Sequence, residues 1–432
     1  VIVPADFWYA LLPDHLLLGL LFVLMLLEMA GVDERAARPL FIATLVAACA
    51  VLMRQYATGY PTELVPDEVR IDHFAVLAKL VVLGCALLWA VLLRGPVTFK
   101  TVFLACSSLL GASVIMDSAG FVTLFIGVEM LSLPAFALMI HGAGHTSASE
   151  GAFKYLLLSS VATALLLFGI ALSYGVTGTL AVESFTGSLG GGSLQAATAG
   201  ILVASGFFLK AAAFPFHGWA PDAYASARVP VTGFLASVVK GTVVLALVRI
   251  LSITPLQAFG TTIGVLAVLS IYFGNITAIR QQGFRRLLAY SSIAHAGYML
   301  FALVDTTGAR PDDLLWYVAT YAATVIVAAA SFTVLCPGDS DDVRRLDDTF
   351  RAHPVAALAF GLAMLSLAGI PPLPGFFAKL FIFRSVIASG YLAPAVIAFV
   401  GSFIGVTYYL ALFFRLFTTE ALVEEADSPS SR

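Results

Sequence analysis

The sequence predicts an all-α, polytopic transmembrane helix bundle of about 13 spans, with two inverted five-helix repeats each containing a broken helix. Three observations predict the class. Sixty per cent of the 432 residues are apolar and only 11% are charged, against roughly 25% charged in a soluble domain. The mean hydropathy is +0.97. The apolar residues form long continuous runs rather than the short alternating segments of a β-barrel. The 23 basic and 26 acidic side chains are too few to cover a soluble protein of this length. A soluble enzyme, a disordered chain and a nucleic-acid binder are therefore excluded. The net charge of −3 says little about partners.

Basic residues delimit the spans in order. The first three, near 14–30, 39–53 and 73–94, are separated by Arg35 and Arg38, then by the acidic loop 62–72. Arg94 and Lys100 precede the fourth, 99–116, which is followed by 118–140 and 152–175. The seventh, 196–228, contains Pro215 and Pro221, and the twelfth, 354–389, contains Pro371, Pro372 and Pro374. Both are too long for one straight helix, and proline removes a backbone donor, so each reads as helix–break–helix. Broken backbone at membrane depth is tolerated only inside protein or beside a hydrated cavity. The others are 230–251, 256–277, 286–304, 313–335 and 391–417. With the N-terminus outside, twelve basic residues fall on inner loops and ends, and three, Arg54, Arg70 and Arg310, on outer loops. That bias places the N-terminus outside and the C-terminus of this chain inside.

The spans group into an N-terminal three-span segment (1–98), a first five-helix repeat (99–251), a second (256–417) and a polar tail (418–432). Two spacings suggest the repeat. Glu129 and Lys210 are 81 residues apart, His295 and Lys379 are 84 apart, and each pair joins a full span to a proline-broken one. Five is odd, so the two units would be inverted.

Little else in the sequence offers chemistry. Cys49, Cys85, Cys106 and Cys336 are scattered and read as small buried residues, not cluster ligands. No GxGxxG follows a strand and no GKS or GKT occurs, so nucleotide binding has no support. The glycine-rich stretch 187–192 reads as a loop. The first apolar run lacks the basic start of a signal peptide.

Four charges sit deep in spans: Glu129 in the fifth, Lys210 in the seventh, Lys240 in the eighth and Lys379 in the twelfth. A charge at the bilayer centre costs about 2.5–3.5 kcal/mol on insertion scales. Facing lipid, the four would cost on the order of 10–14 kcal/mol, so they should face the bundle interior. Three lysines and one glutamate do not neutralise one another. A chain of titratable groups carrying protons accounts for them better than structural ion pairs do. Buried lysine suits this because desolvation and a neighbouring carboxylate pull its proton affinity in opposite directions. His295, near mid-depth of the tenth span, reads as a proton relay or a satisfied buried histidine. Lys154, four residues after Glu150, reads as a further titratable group or a solvated helical pair. His217 is expected to bond backbone freed by the seventh-span break, and Asp222 to cap the following turn. His141 and His145 read as loop residues, and Trp219 and Trp316 as packing or interface anchors.

At these residues the chain resembles a known family. VEMLSLPAFAL, EGAFKYLLLSSVATALLLFGIALSYGVTGTL, KAAAFPFHGWAPDAYASARVPVTGFLASVVK, RRLLAYSSIAHAGYML and LSLAGIPPLPGFFAKLFIF are similar to the N-type membrane subunits of bacterial NADH–quinone oxidoreductase, respiratory complex I. These belong to the antiporter-like family shared with Mrp-type sodium/proton antiporters and membrane-bound hydrogenases. The resemblance covers about 116–416. It implies a hydrophilic axis on which Glu129, Lys154, Lys210, Lys240, His295 and Lys379 match the family's titratable positions. It also implies a proton-translocating subunit of a quinone-reducing enzyme in a bacterial inner membrane, beside other membrane and peripheral subunits. The chain itself would hold no cofactor or metal; NADH, FMN, iron–sulfur clusters and quinone, ubiquinone among them, would belong to those partners, and no nucleic acid is expected. An Mrp-type or hydrogenase-type antiporter subunit and a transport-free scaffold are the rival readings. The family commonly has fourteen spans with both termini outside. Thirteen followed by a polar tail implies a missing last helix or an incomplete chain, and Val1 in place of methionine fits the second.

Overall fold

The computed structural model describes residues 5–59, 63–95, 97–141, 146–189, 191–251, 257–304, 311–338 and 340–418. The polar tail beyond 418, His145 and Arg310 lie outside the described residues. All thirteen expected runs are helical. The first six are Leu12–Met29, Ala37–Thr58, His73–Leu92, Phe99–Asp117, Phe121–Ile140 and Thr146–Thr177. The seventh is Leu194–Lys210 followed by Ala220–Ser226. The eighth starts at Val229–Phe234, passes through a π-helical turn, Leu235–Val239, and continues as Lys240–Leu251. Gln257–Ala278, Phe284–Phe301 and Pro311–Leu335 follow; the twelfth is Pro354–Ala368 and Pro374–Ala388, and the last is Leu392–Arg415. Ten of the described helices are long and apolar enough to cross a membrane. The three passes outside that group are the two broken ones and the tenth, which carries Arg285, Arg286 and His295.

The protein is thus a multi-pass membrane helix bundle. Its axis is the eighth span, wholly buried over Val229–Ile250, whereas little of the first is covered. The only described strands are a short antiparallel hairpin, Glu63–Val65 with Val69–Arg70, between the second and third spans. Some boundaries differ from the sequence reading. The second helix runs to Thr58, and Val182–Leu189 is helical, so Gly187 belongs to a short helix rather than a loop.

Small residues bring particular helices close. A Cβ on Gly111 would lie 2.3 Å from the Leu131 nitrogen, joining the fourth span to the fifth. Gly206 and Gly169 play the same part between the sixth and seventh, and Gly274 and Gly297 between the ninth and tenth. In an apolar solvent van der Waals contact drives association, so backbones approach where side chains are absent. The fourth span packs on the fifth and eighth, and the sixth on the seventh. The same pairings recur five spans later, ninth on tenth and thirteenth, eleventh on twelfth.

Both breaks have local causes. Leu194–Lys210 ends at Ala211, with Ala212 left-handed and Pro215 three residues further on. Pro354–Ala368 ends at Gly369, whose φ of +85° is accessible to glycine at no steric cost. The prolines that follow cannot continue the helix.

Candidate functional site

Each break leaves carbonyls without helical partners near mid-span, and lysines stand beside both. Lys379 lies on the second half of the twelfth span. Its ammonium donates to the carbonyls of Leu367 (3.1 Å) and Ala368 (3.0 Å), the last turn of the preceding half-helix, and to Ser402 Oγ (3.1 Å). The negative end of that half-helix thus faces a cation. Lys379 Nζ also stands 5.0 Å from the centre of the Tyr298 ring. In the seventh span, Lys210 is the last helical residue. Its ammonium donates to Glu129 Oε1 (3.2 Å), Ser132 Oγ (3.2 Å) and Ser159 Oγ (3.1 Å). Thr163 Oγ1 donates to the same Glu129 oxygen, Oε1, at 2.6 Å. The fifth, sixth and seventh spans therefore converge on one ion pair.

Lys240 follows the π-helical turn and is buried. Its ammonium donates to Ser292 Oγ (2.7 Å) and the Ser292 carbonyl (3.0 Å) on the tenth span. No ion pair to Lys240 occurs among the described residues. The next residue back, Ser291, is hydrogen-bonded to the Tyr409 hydroxyl. Tyr409 in turn meets His295 Nε2 (3.3 Å), whose Nδ1 shares a 2.8 Å bond with the Tyr317 hydroxyl. Tyr298 packs edge-on against the His295 ring and over Lys379. The structure so brings together Lys240, His295 and Lys379 through hydroxyls and aromatic rings, and Glu129 with Lys210 as a separate pair.

Lys154 stands apart. It is half-exposed and bonds Glu150 and Asp222, each at 2.9 Å; Asp222 also meets Arg286 (3.4 Å). Asp222 is thus an ion-pair partner, and the cap expected of it is not made: the helix it opens has no side-chain cap. His217 likewise does not bond freed backbone. It stacks on Phe214 and lies tilted against Phe273, and its Nδ1 is buried without a protein partner. Trp219 instead takes the Leu209 carbonyl (2.7 Å), and Ser270 accepts from the Phe214 nitrogen. All four cysteines are free and buried. Among the described residues no group of three or more His, Cys, Asp or Glu could hold a metal ion.

Beyond the four deep charges expected from the sequence, Lys79, Asp117 and Arg249 are buried as well. Lys79, on the third span, is 2% exposed and pairs with Asp14 (2.9 Å) and Asp117. Arg249, near the end of the eighth, is buried and donates to Asp72 and to the carbonyls of Met116 and Arg70. The signal was available. Lys79 interrupts the run HFAVLAKLVVL, and alternating span direction places Asp14 and Asp117 at the same end of the bundle.

A polytopic bundle with two broken spans and lysines buried beside the breaks has the architecture of an antiporter-like membrane subunit. The family described as NADH:quinone oxidoreductase/Mrp antiporter, TM, matches residues 118–405. NADH-quinone oxidoreductase subunit N of Pelobacter propionicus is 54% identical over 428 residues, 99% of this chain and 92% of that protein. Subunit N of Heliobacterium modesticaldum is 37% identical over 351 residues, 79% of this chain and 74% of that one. The chain belongs to this family, among its subunit N members. Among solved structures, a chain of respiratory complex I from Thermus thermophilus with bound aureothin aligns with a TM-score of 0.81 and 31% identity, covering 94% of this chain and 90% of that one. A chain of the Mrp complex from a Dietzia species aligns with a TM-score of 0.84 at 23% identity, covering 95% and 81%, a likeness of fold alone.

Proposed function

We propose that this chain moves protons across a bacterial inner membrane as one subunit of an NADH:quinone oxidoreductase. NADH and quinone, which appear in the names of its relatives, would be held by partner subunits, together with FMN and iron–sulfur clusters. The observation that carries the reading is Lys240: a lysine at the centre of a wholly buried span, bonded to Ser292, one residue along the tenth span from a hydrogen-bonded series of Ser291, Tyr409, His295 and Tyr317. A hydroxyl accepts one hydrogen bond and donates another, so a proton can pass along Ser291, Tyr409, His295 and Tyr317, while the steps from Lys240 and to Lys379 need a side chain to turn or a water to bridge.

The mechanism is electrostatic. Quinone reduction in a partner changes the charge beside the Glu129–Lys210 pair. Drawing Glu129 from Lys210 leaves an unbalanced ammonium, which repels a proton from Lys240 past Tyr409 and His295 towards Lys379. Lys154 and Asp222, on the half-exposed surface where the sixth span opens, serve as the point of proton entry. Such coupling needs two arrangements that a distant event can bias, and the Glu129 ion pair is the element proposed to switch. The recurring helix pairings and the two breaks support reading 99–251 and 256–417 as inverted repeats behind the three-span segment 1–98. The basic bias supports an outer N-terminus.

Lys379→Ala tests the reading. Alanine fits a helix and removes a buried charge without adding bulk. The assembled complex in sealed vesicles is expected to move fewer protons per quinone reduced. An unchanged ratio would leave Lys379 a structural cation. Proton movement that stops when sodium is withdrawn would favour the antiporter reading instead.

A further inference from the structure

Three ionisable side chains, two buried and one partly buried, play no part in the axis above. Lys79 Nζ donates to Asp14 Oδ2 (2.9 Å) and to Asp117 Oδ2. Asp14 is in the first turn of the first span, Lys79 in the first half of the third, and Asp117 closes the fourth. Successive spans reverse direction, so these positions share one end of the bundle, the end that carries the hairpin. The eighth span ends there too. Its Arg249 donates to the carbonyl of Met116, the residue before Asp117, and to the carboxylate of Asp72. Arg249 follows Lys240 by nine residues on one helix, ~13.5 Å along its axis at 1.5 Å per residue. The charged groups facing the triad are therefore Arg249 and, through it, Asp72.

The charges of this cluster do not balance as a structural pair would. Arg249 and Asp72 neutralise each other, whereas one ammonium is shared by two carboxylates. With every group ionised the triad carries one surplus negative charge. Oδ1 of Asp14 and Oδ1 of Asp117 are both buried and accept no hydrogen bond from the protein. Buried polar atoms are nearly always bonded, and a structural ion pair is stabilising only when its remaining lone pairs are satisfied. Two free carboxylate oxygens beside a surplus charge are a place for one proton. Asp117 is the inner member, 4% exposed at its side chain, and Asp14 the outer, at 13%.

We propose that Asp14, Lys79 and Asp117 form a second proton site, which receives protons from the Lys240 level of the eighth span and releases them at the hairpin end. The inference rests on the proton-translocating reading. On loading, an O–H bond forms at Asp117 Oδ1 as one breaks in a protonated water donor, and the triad passes from one negative charge to none. On release the proton leaves a carboxylate oxygen for water beside Asp14 and Asp72, and the charge returns. Lys79 stays an ammonium throughout and holds the two carboxylates together.

The test uses the whole complex in sealed vesicles. Assembly is followed by native gel, and protons moved per quinone reduced are measured for Asp117→Asn, Asp117→Glu, Asp14→Asn and Lys379→Ala. Asp117→Asn is expected to assemble and to lose as large a share of the ratio as Lys379→Ala, and Asp117→Glu to recover it. An assembled Asp117→Asn complex with a wild-type ratio, beside an impaired Lys379→Ala, overturns the proposal and leaves the triad a structural clamp, with the functional reading intact. A wild-type ratio in Lys379→Ala as well overturns both. Should Asp117→Asn fail to assemble, Asp14→Asn decides: a reduced ratio supports the site, and a wild-type ratio removes it.

Discussion

Glu129 is the more accessible member of its pair, with 23% of its side chain exposed against 4% for Lys210. The carboxylate is the partner that can move, and the ammonium is fixed by Ser132 and Ser159. Glu129→Gln keeps the shape and deletes the charge, so the pair should lose its coupling. Glu129→Asp keeps the charge but shortens its reach by one methylene. The expected order of proton pumping is wild type, then Asp, then Gln. Removing one partner of a buried pair costs about 3–5 kcal/mol, so native-gel assembly is read before activity. In a double-mutant cycle of Glu129→Gln with Lys210→Ala, the double variant should be no worse than the poorer single one. Fully additive losses in assembled complexes would show that the pair does not act as a unit. Both residues were legible in the sequence, because a charge inside an apolar run is conspicuous. The roles of His217 and Asp222 were not. Each depends on which neighbouring helix stands opposite, and Phe273 and Lys154 stand there.

At the scale of elements, the helix pairs depend on glycine. Gly274 faces the tenth span so closely that a Cβ would lie 2.6 Å from the Ala294 nitrogen and the Tyr290 carbonyl. Both are backbone atoms that cannot rotate away. Gly274→Ala should therefore push the ninth and tenth spans apart, at a cost of about 1–3 kcal/mol, and disturb the Ser291–Tyr409 bond that joins the tenth span to the thirteenth. A lower midpoint of thermal unfolding in the solubilised complex would register it. Gly187→Ala is the control, since a Cβ there meets nothing within 4 Å and alanine favours a helix by roughly 0.5–1 kcal/mol. Equal midpoints for the two variants would show that the contact is not tight. The broken spans were legible in the sequence because proline acts on its own backbone. The glycine contacts were not, since a glycine in an apolar run looks the same whether it faces lipid or another helix.

At the scale of the whole molecule, the proposed orientation of the bundle rests on the basic bias. Single cysteines introduced in the loops 280–286 and 336–354 should react with an impermeant reagent only from the cytoplasmic side, and those in 57–72 only from outside. Labelling of 280–286 from outside would reverse the orientation. The native thiols should stay silent. Burial pushes the Cys336 thiol up to about 11, so below that pH it remains the unreactive thiol rather than the thiolate.

The sequence by itself determined the fold class, the thirteen passes, the two breaks and the presence of charges that cannot face lipid. Each of these is a sum or an interruption over neighbouring residues, since the free energy of moving a segment into hydrocarbon accumulates along the chain. The tertiary structure alone decided which charges meet. Lys240 finds Ser292 across 52 residues, and Lys79 finds Asp117 across 38 and Asp14 across 65. Those meetings depend on the rotation of each helix about its axis and on which backbones come close. Both are set by side-chain packing between distant segments, to which no local sum of hydropathy is sensitive.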